Sequence, residues 1–158
     1  MAKGGLIAAR GVYGCIVVLA LLLALEEHPP PAFEAASLLA ATVTGIVLAE
    51  GFATAIGQEV ERGRPLTRAE RAKALTEGAG AFMAAPAPLC FLLLAGFGVL
   101  SEERALTLSR WVTLALLFGF CSTAGGLAGR TRKSALLAGA GAAVIGAVLA
   151  NFKSLTHG

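Results

Sequence analysis

What most constrains this chain is how its charges are placed. They gather in short connections, and the stretches between them are apolar for about the length a bilayer demands. A helix needs about 20 mostly apolar residues to cross the roughly 30 Å of hydrocarbon. Five stretches meet or approach that length, at about 4–25, 33–57, 78–100, 106–129 and 134–151. Hydrophobic residues make up 56% of the 158 and charged residues only 15%, and the mean hydropathy is +0.76. Soluble domains carry about 25% charged residues. The pattern therefore predicts an all-α polytopic membrane helix bundle, one transmembrane domain with five transmembrane helices. The solvent along most of its length is the lipid bilayer.

The connections set the orientation. Lys and Arg concentrate on the cytoplasmic side of short loops. Lys3 and Arg10, the cluster Arg62, Arg64, Arg68, Arg71 and Lys73, and Arg130, Arg132 and Lys133 fall on one side, with Arg104, Arg110 and Lys153 on the other. Ten against three places the N-terminus in the cytoplasm and the C-terminus outside a bacterial plasma (inner) membrane. The first segment begins basic and ends polar, as a signal peptide does. Leu25-Glu26-Glu27-His28 supplies no small-residue cleavage pattern, so it reads as an uncleaved span. Pro29-Pro30-Pro31 then prevents the helix from continuing.

Thr67-Arg68-Ala69-Glu70 is a T-x-x-E capping box, which predicts a short cytoplasmic helix over about 68–77. Its cations suit anionic headgroups better than nucleic acid, for which no role is expected. Ser101 precedes Glu102 and Glu103, a cap followed by acids that favour the helix dipole. Small residues recur at i, i+4: Ala41, Gly45, Ala49, Ala53 and Gly57 in the second segment, and Ala138, Ala142, Gly146 and Ala150 in the fifth. In lipid such ladders let helix backbones approach, so a homo-oligomer or a membrane-protein partner is expected. Pro86 and Pro88 predict a kink or break in the third span.

Charges inside a span cost about 2.5–3.5 kcal/mol on insertion scales and ask for a reason. Counting helical rise from the segment ends puts Arg10 and Glu50 roughly 10 Å in from the cytoplasmic side, with Ser122 and Thr123 at a similar depth. Tyr13 shares the helix face of Arg10. Two accounts fit. One is a structural Arg10–Glu50 pair. The other is an ion path or buried polar layer built from Glu50, Arg10, Tyr13, Thr54, Ser122 and Thr123, with Glu50 the best candidate for any metal contact. Cys15, Cys90 and Cys121 lie in apolar runs without a CxxC, which reads as packing rather than metal binding. No GxSxG, HExxH, P-loop or dinucleotide fingerprint occurs, so neither an enzyme nor a cofactor is expected.

The run Leu114 to Ala143, through Ser122-Thr123-Ala124-Gly125-Gly126 and Arg130-Thr131-Arg132-Lys133, resembles the last two spans of vacuolar-iron-transporter-type (VIT/CCC1) membrane proteins. Ala84-Ala85-Pro86-Ala87-Pro88-Leu89 resembles their proline-bearing third span. The resemblance implies a five-span, dimeric, VIT-like fold. It also implies metal-binding carboxylates in the first span, where this chain has Arg10 and no acid, and a long Glu-rich cytoplasmic domain, where it has the short basic stretch 58–76. The chain is also similar to small actinobacterial integral membrane proteins of unassigned activity, through Tyr13-Gly14 and the spacing of Lys153 and His157. The functional expectation is ion transport, by a small inorganic-ion or proton transporter or channel centred on Glu50. The alternative is a non-catalytic membrane subunit or scaffold that associates through its Gly/Ala faces.

Overall fold

The computed structural model describes residues 3–127 and residue 141, with the backbone alone at 3–7, 77–81 and 127. Apart from residue 141, the expected fifth span, 134–151, lies outside the described residues, as do the cations Arg130, Arg132, Lys133 and Lys153. What is described is all-helical. Helix α1 is Lys3–Glu27, α2 is Ala32–Arg62 and α3 is Arg68–Gly78. A 3₁₀ segment, Ala79–Ala84, leads into α4, Pro86–Gly96, and α5 is Glu102–Leu127. Three stretches are long and apolar enough to cross a membrane: Ala8–Glu27, Ala32–Arg62 and Glu102–Gly126.

Local chemistry explains the boundaries. Pro31 stands at the N-cap of α2, and its carbonyl accepts the N–H groups of Glu34 (2.8 Å) and Ala35 (3.0 Å). No breaker follows until Gly63, whose φ of 63° closes the helix in the left-handed conformation. Hence α2 runs 31 residues, about 46 Å, five residues past the expected boundary at Gly57. α4 ends in a Schellman arrangement at Gly98 (φ 74°): Val99 N–H reaches Leu94 O and Gly98 N–H reaches Ala95 O, both at 2.9 Å. α5 begins at Glu102, as the expected Ser101 cap requires: Ser101 Oγ accepts the Arg104 N–H (3.4 Å), and the apolar stretch expected from 106 continues the same helix.

The third segment is not one continuous helix. Pro86 takes the first position of α4, where its missing N–H costs nothing. Before it the chain narrows to a 3₁₀ turn in which Ala85 N–H bonds Phe82 O at 3.2 Å. α4 itself has 11 residues, about 16 Å, too short to cross hydrocarbon alone.

α1 packs mainly on α5 and on the 3₁₀ segment, α4 on α5 and α2, and α2 on α3. The core is a stripe of α1 at helical spacing (Cys15, Val18, Leu19, Leu22, Leu25) against Leu39 and Val43 of α2, Leu92 of α4 and Leu117 of α5. Two aromatic rings press against glycines. A Cβ on Gly11 would meet the Phe120 ring at 2.8 Å, and one on Gly96 would meet the Phe33 ring at 2.8 Å. Phe33 stacks edge-on against Phe97, with centroids 5.4 Å apart.

Candidate functional site

At one end of the bundle, Glu26 of α1 pairs with Arg110 of α5 at 3.1 Å, and Ala32 N–H at the start of α2 donates to Glu102 Oε1 at 3.1 Å. These contacts, about 12 Å apart along α5, tie the three long helices together near one end. Arg10 lies 16 residues along α1 from Glu26, and Glu50 lies 18 residues along α2 from Ala32, so both sit about 24–27 Å from that end. The contact of Gly11 with Phe120 brings the Ser122 region of α5 to the same depth.

Sharing a level is not the same as converging. Among the described residues no ion pair joins Arg10 to Glu50, although both are half-buried. Glu50 Oε2 is buried and has no hydrogen-bond partner among the described residues, and the same holds for Ser122 Oγ. α1 and α5 pack on each other extensively, whereas α2 and α5 do not, so Glu50 and Ser122 occupy separate helix interfaces. Tyr13 is 47% exposed. Thr123 is exposed too, and its hydroxyl donates to Phe120 O at 2.9 Å. Both lie outside the buried layer, while Thr54, one turn below Glu50, is half-buried. Among the described residues no group of three or more His, Cys, Asp or Glu is placed to hold a metal ion.

Glu50 shares the core-facing side of α2 with Leu39 and Val43, to which the 100° step per residue returns it. The next residue, Gly51, is where α3 presses closest. A Cβ there would meet Leu75 Cδ2 at 2.6 Å and Leu75 Cα at 2.9 Å. α3 therefore runs back beside the last turns of α2. Two carboxylates hold it there. Glu70 accepts from Arg62, from both terminal nitrogens of Arg64 and from the N–H (2.9 Å) and hydroxyl of Thr67, while Thr67 Oγ1 accepts the Glu70 N–H. That is the capping box in place. The Arg64 guanidinium, then the Thr67 N–H, hold the Glu70 carboxyl well below the usual carboxylate range. Glu59 accepts the Leu66 N–H (3.0 Å) and pairs with Arg71 at 2.9 Å.

One polar feature of the core has no counterpart among the residues that the sequence singles out. Ser109 and Thr113 are fully buried. Ser109 Oγ donates to Pro88 O at 3.3 Å, and Thr113 Oγ1 donates to Ser109 O at 2.7 Å. Pro88 is itself buried, and the Ser109 hydroxyl ties its carbonyl to α5, so the polar groups meet each other in apolar surroundings. The available signal was a hydroxyl pair at i, i+4 in an apolar run.

No family model, curated protein or solved structure matches this chain.

Proposed function

We propose that this membrane protein moves a small inorganic cation or a proton, and that the Glu50 carboxylate is the group that takes it up. The observation that carries the proposal is the partnerless, buried Oε2 of Glu50. Leaving a buried acceptor unsatisfied costs about 1–3 kcal/mol, more for a charged group. Arg10, the one cation at its level in the described helices, does not neutralise it. A carboxylate kept in that condition is suited to an occupant that arrives and leaves. The broken third segment supports the reading. The 3₁₀ turn and α4 together have a reach of about 28 Å, enough to cross as an interrupted span, and irregular backbone at membrane depth is tolerated where it lines a cavity or is covered by protein. The proposal includes five spans with the N-terminus in the cytoplasm of a bacterial plasma membrane.

The test is reconstitution in liposomes with proton and metal-ion flux measured for wild type, Glu50→Gln and Glu50→Ala. Loss of flux in both variants, with helix content by circular dichroism unchanged, supports the reading. Equal flux in all three sinks it.

A second reading, a scaffold without transport, is favoured by one observation. The stripe Ala41, Gly45, Ala49, Ala53 and Gly57 is exposed along α2, and a Cβ at Gly45 or Gly57 would meet nothing within 4 Å. A protein with no flux that crosslinks to itself through this stripe would favour that reading.

A further inference from the structure

The first two turns of α5 carry an arrangement that the transport reading does not use. Two clefts of about 390 and 550 Å³ adjoin there and share Glu103 and Thr107. Of the other charges bordering them, Arg110 is paired to Glu26, and Glu102 holds the Ala32 N–H. That leaves Glu103 and Arg104. Both are exposed, and among the described residues neither side chain has an ion-pair partner. Two unneutralised charges of opposite sign thus stand side by side, with the hydroxyls of Ser101 and Thr107 in the same clefts.

What lies beneath them names the occupant class. Arg104, Leu108 and Trp111 follow one another at i, i+4 and i+7 and so form one stripe of α5. Leu108 is 41% exposed and Trp111 61% exposed. The stripe starts with a cation beside an anion, at the end of the helix set by the Glu26–Arg110 pair, and continues as bare apolar surface toward the bilayer. Tryptophan is enriched at that boundary. A molecule matching it has an ammonium and a phosphate at one end and hydrocarbon at the other.

The geometry points to a binding site for a zwitterionic phospholipid with a primary ammonium headgroup. Arg104, with Ser101 and Thr107 as further donors, receives the phosphate. Glu103 receives the ammonium, and the acyl chains lie over Leu108 and Trp111. A primary ammonium gives three N–H donors to a carboxylate, as the lysine ammonium does. A trimethylated one gives none. The site therefore discriminates between phosphatidylethanolamine and phosphatidylcholine through Glu103, while Arg104 serves both. This inference rests on the membrane reading but not on any role for Glu50.

The chain's one tryptophan makes the test direct. The full-length protein is reconstituted in mixed vesicles, and Trp111 quenching is measured with acyl-brominated phosphatidylethanolamine, phosphatidylcholine or phosphatidylglycerol. Wild type should favour phosphatidylethanolamine over the other two on the order of threefold, the effect of one exposed ion pair. Glu103→Gln should abolish that preference, and Arg104→Gln should weaken all three lipids alike. Equal quenching by the three lipids in wild type, or a preference that survives Glu103→Gln, overturns the proposal. Displacement of the brominated lipid by millimolar water-soluble phosphoethanolamine also overturns it, since that would assign the clefts to a free metabolite. A flux-dead Glu50→Gln protein that retains the lipid preference would separate this inference from the transport reading.

Discussion

Gly51 is the position where one added methyl group tells most about this molecule. α2 and α3 meet there so closely that a Cβ would lie 2.9 Å from the Cα of Leu75 as well as 2.6 Å from its Cδ2. The terminal methyl could rotate away, but the backbone atom could not, so Gly51→Ala must push α3 outward. Overpacking of this kind costs about 1–3 kcal/mol. The same change gains up to about 1 kcal/mol of helix propensity in mid-helix. The expected net loss is about 1 kcal/mol. Gly57, two turns on, is the internal control. Nothing lies within 4 Å of its Cβ position, so Gly57→Ala keeps the propensity gain without the clash. The two variants should differ by about 2 kcal/mol. For a chain of this size that is a separation of roughly 4–8 °C in melting temperature, since 1 kcal/mol moves Tm by about 2–4 °C. Thermal melts of the detergent-solubilised protein, followed by circular dichroism at 222 nm, measure it. Amide exchange should also quicken in α3 of Gly51→Ala and not of Gly57→Ala. If Gly51→Ala melts at or above Gly57→Ala, α3 does not lie on α2 at this point.

Other outcomes follow from the same contacts. Thr67→Ala removes the cap of α3 and should cost that helix about 0.5–2 kcal/mol, read as faster amide exchange over residues 68–74. Acid should loosen the same helix. The Glu70 carboxyl is held below its ordinary value of 4.5 in the folded chain, so its stabilisation is complete above that value and is lost as pH falls through the depressed folded value. Exchange over α3, corrected for the intrinsic pH dependence of amide exchange, should show the first part of that loss at pH 3 relative to pH 7, and Glu70→Gln should show the loss already at pH 7. Ser109→Ala withdraws the hydroxyl from the Pro88 carbonyl and should cost about 0.5–1.5 kcal/mol in a denaturant titration. Leu22→Ala, at a fully buried position of α1, should cost about 2–5 kcal/mol by the same measurement.

What could be read from the sequence was whatever depends on near neighbours. The Thr67–Glu70 box, the stop at Pro29-Pro30-Pro31, the cap at Ser101 and the interruption near Pro86 each involve residues within a few positions of one another. Local chemistry is enough to determine them. The end of α2 was less legible, because Gly57 looks like a boundary and is merely exposed, while Gly63 takes the left-handed conformation that ends the helix. Pairings across the fold could not be read at all. Arg110 finds Glu26 and Ser109 finds Pro88 only because α5 lies beside α1 and α4. A depth count along each helix gives Arg10 and Glu50 the same level but says nothing of azimuth. Azimuth is what keeps Tyr13 on an exposed face and leaves Glu50 without Arg10.

The folding back of α3 also bears on where the bilayer can sit. Along the turns of α2 from Gly51 to Arg62 the neighbouring helix carries Arg68, Glu70, Arg71 and Lys73, with Glu59 and Arg62 of α2 tied into the same pairs. Immersing that many charges would cost several kcal/mol each, so hydrocarbon must end close to where α3 ends. A slab of about 30 Å measured from Ala32 ends near Phe52, twenty residues along. Two independent constraints, the length of apolar helix and the reach of a polar one, thus meet within one turn. With α2 as a span, Glu50 comes only a few Å inside the rim, whereas counting from Gly57 gives roughly 10 Å. A carboxylate at that depth is one helical turn from water on the α3 side and more than 20 Å from water on the other. On the transport reading, the short step needs only a shift of α3, and the long step has to pass the broken third segment. A cysteine-reactive probe applied from each side to Thr54→Cys and Val43→Cys, each in a chain whose Cys15, Cys90 and Cys121 are replaced by Ala, distinguishes the two paths. Thr54→Cys should label rapidly from the α3 side alone. Equal labelling of both positions from both sides would mean that Glu50 lies in an open aqueous channel rather than close to one rim.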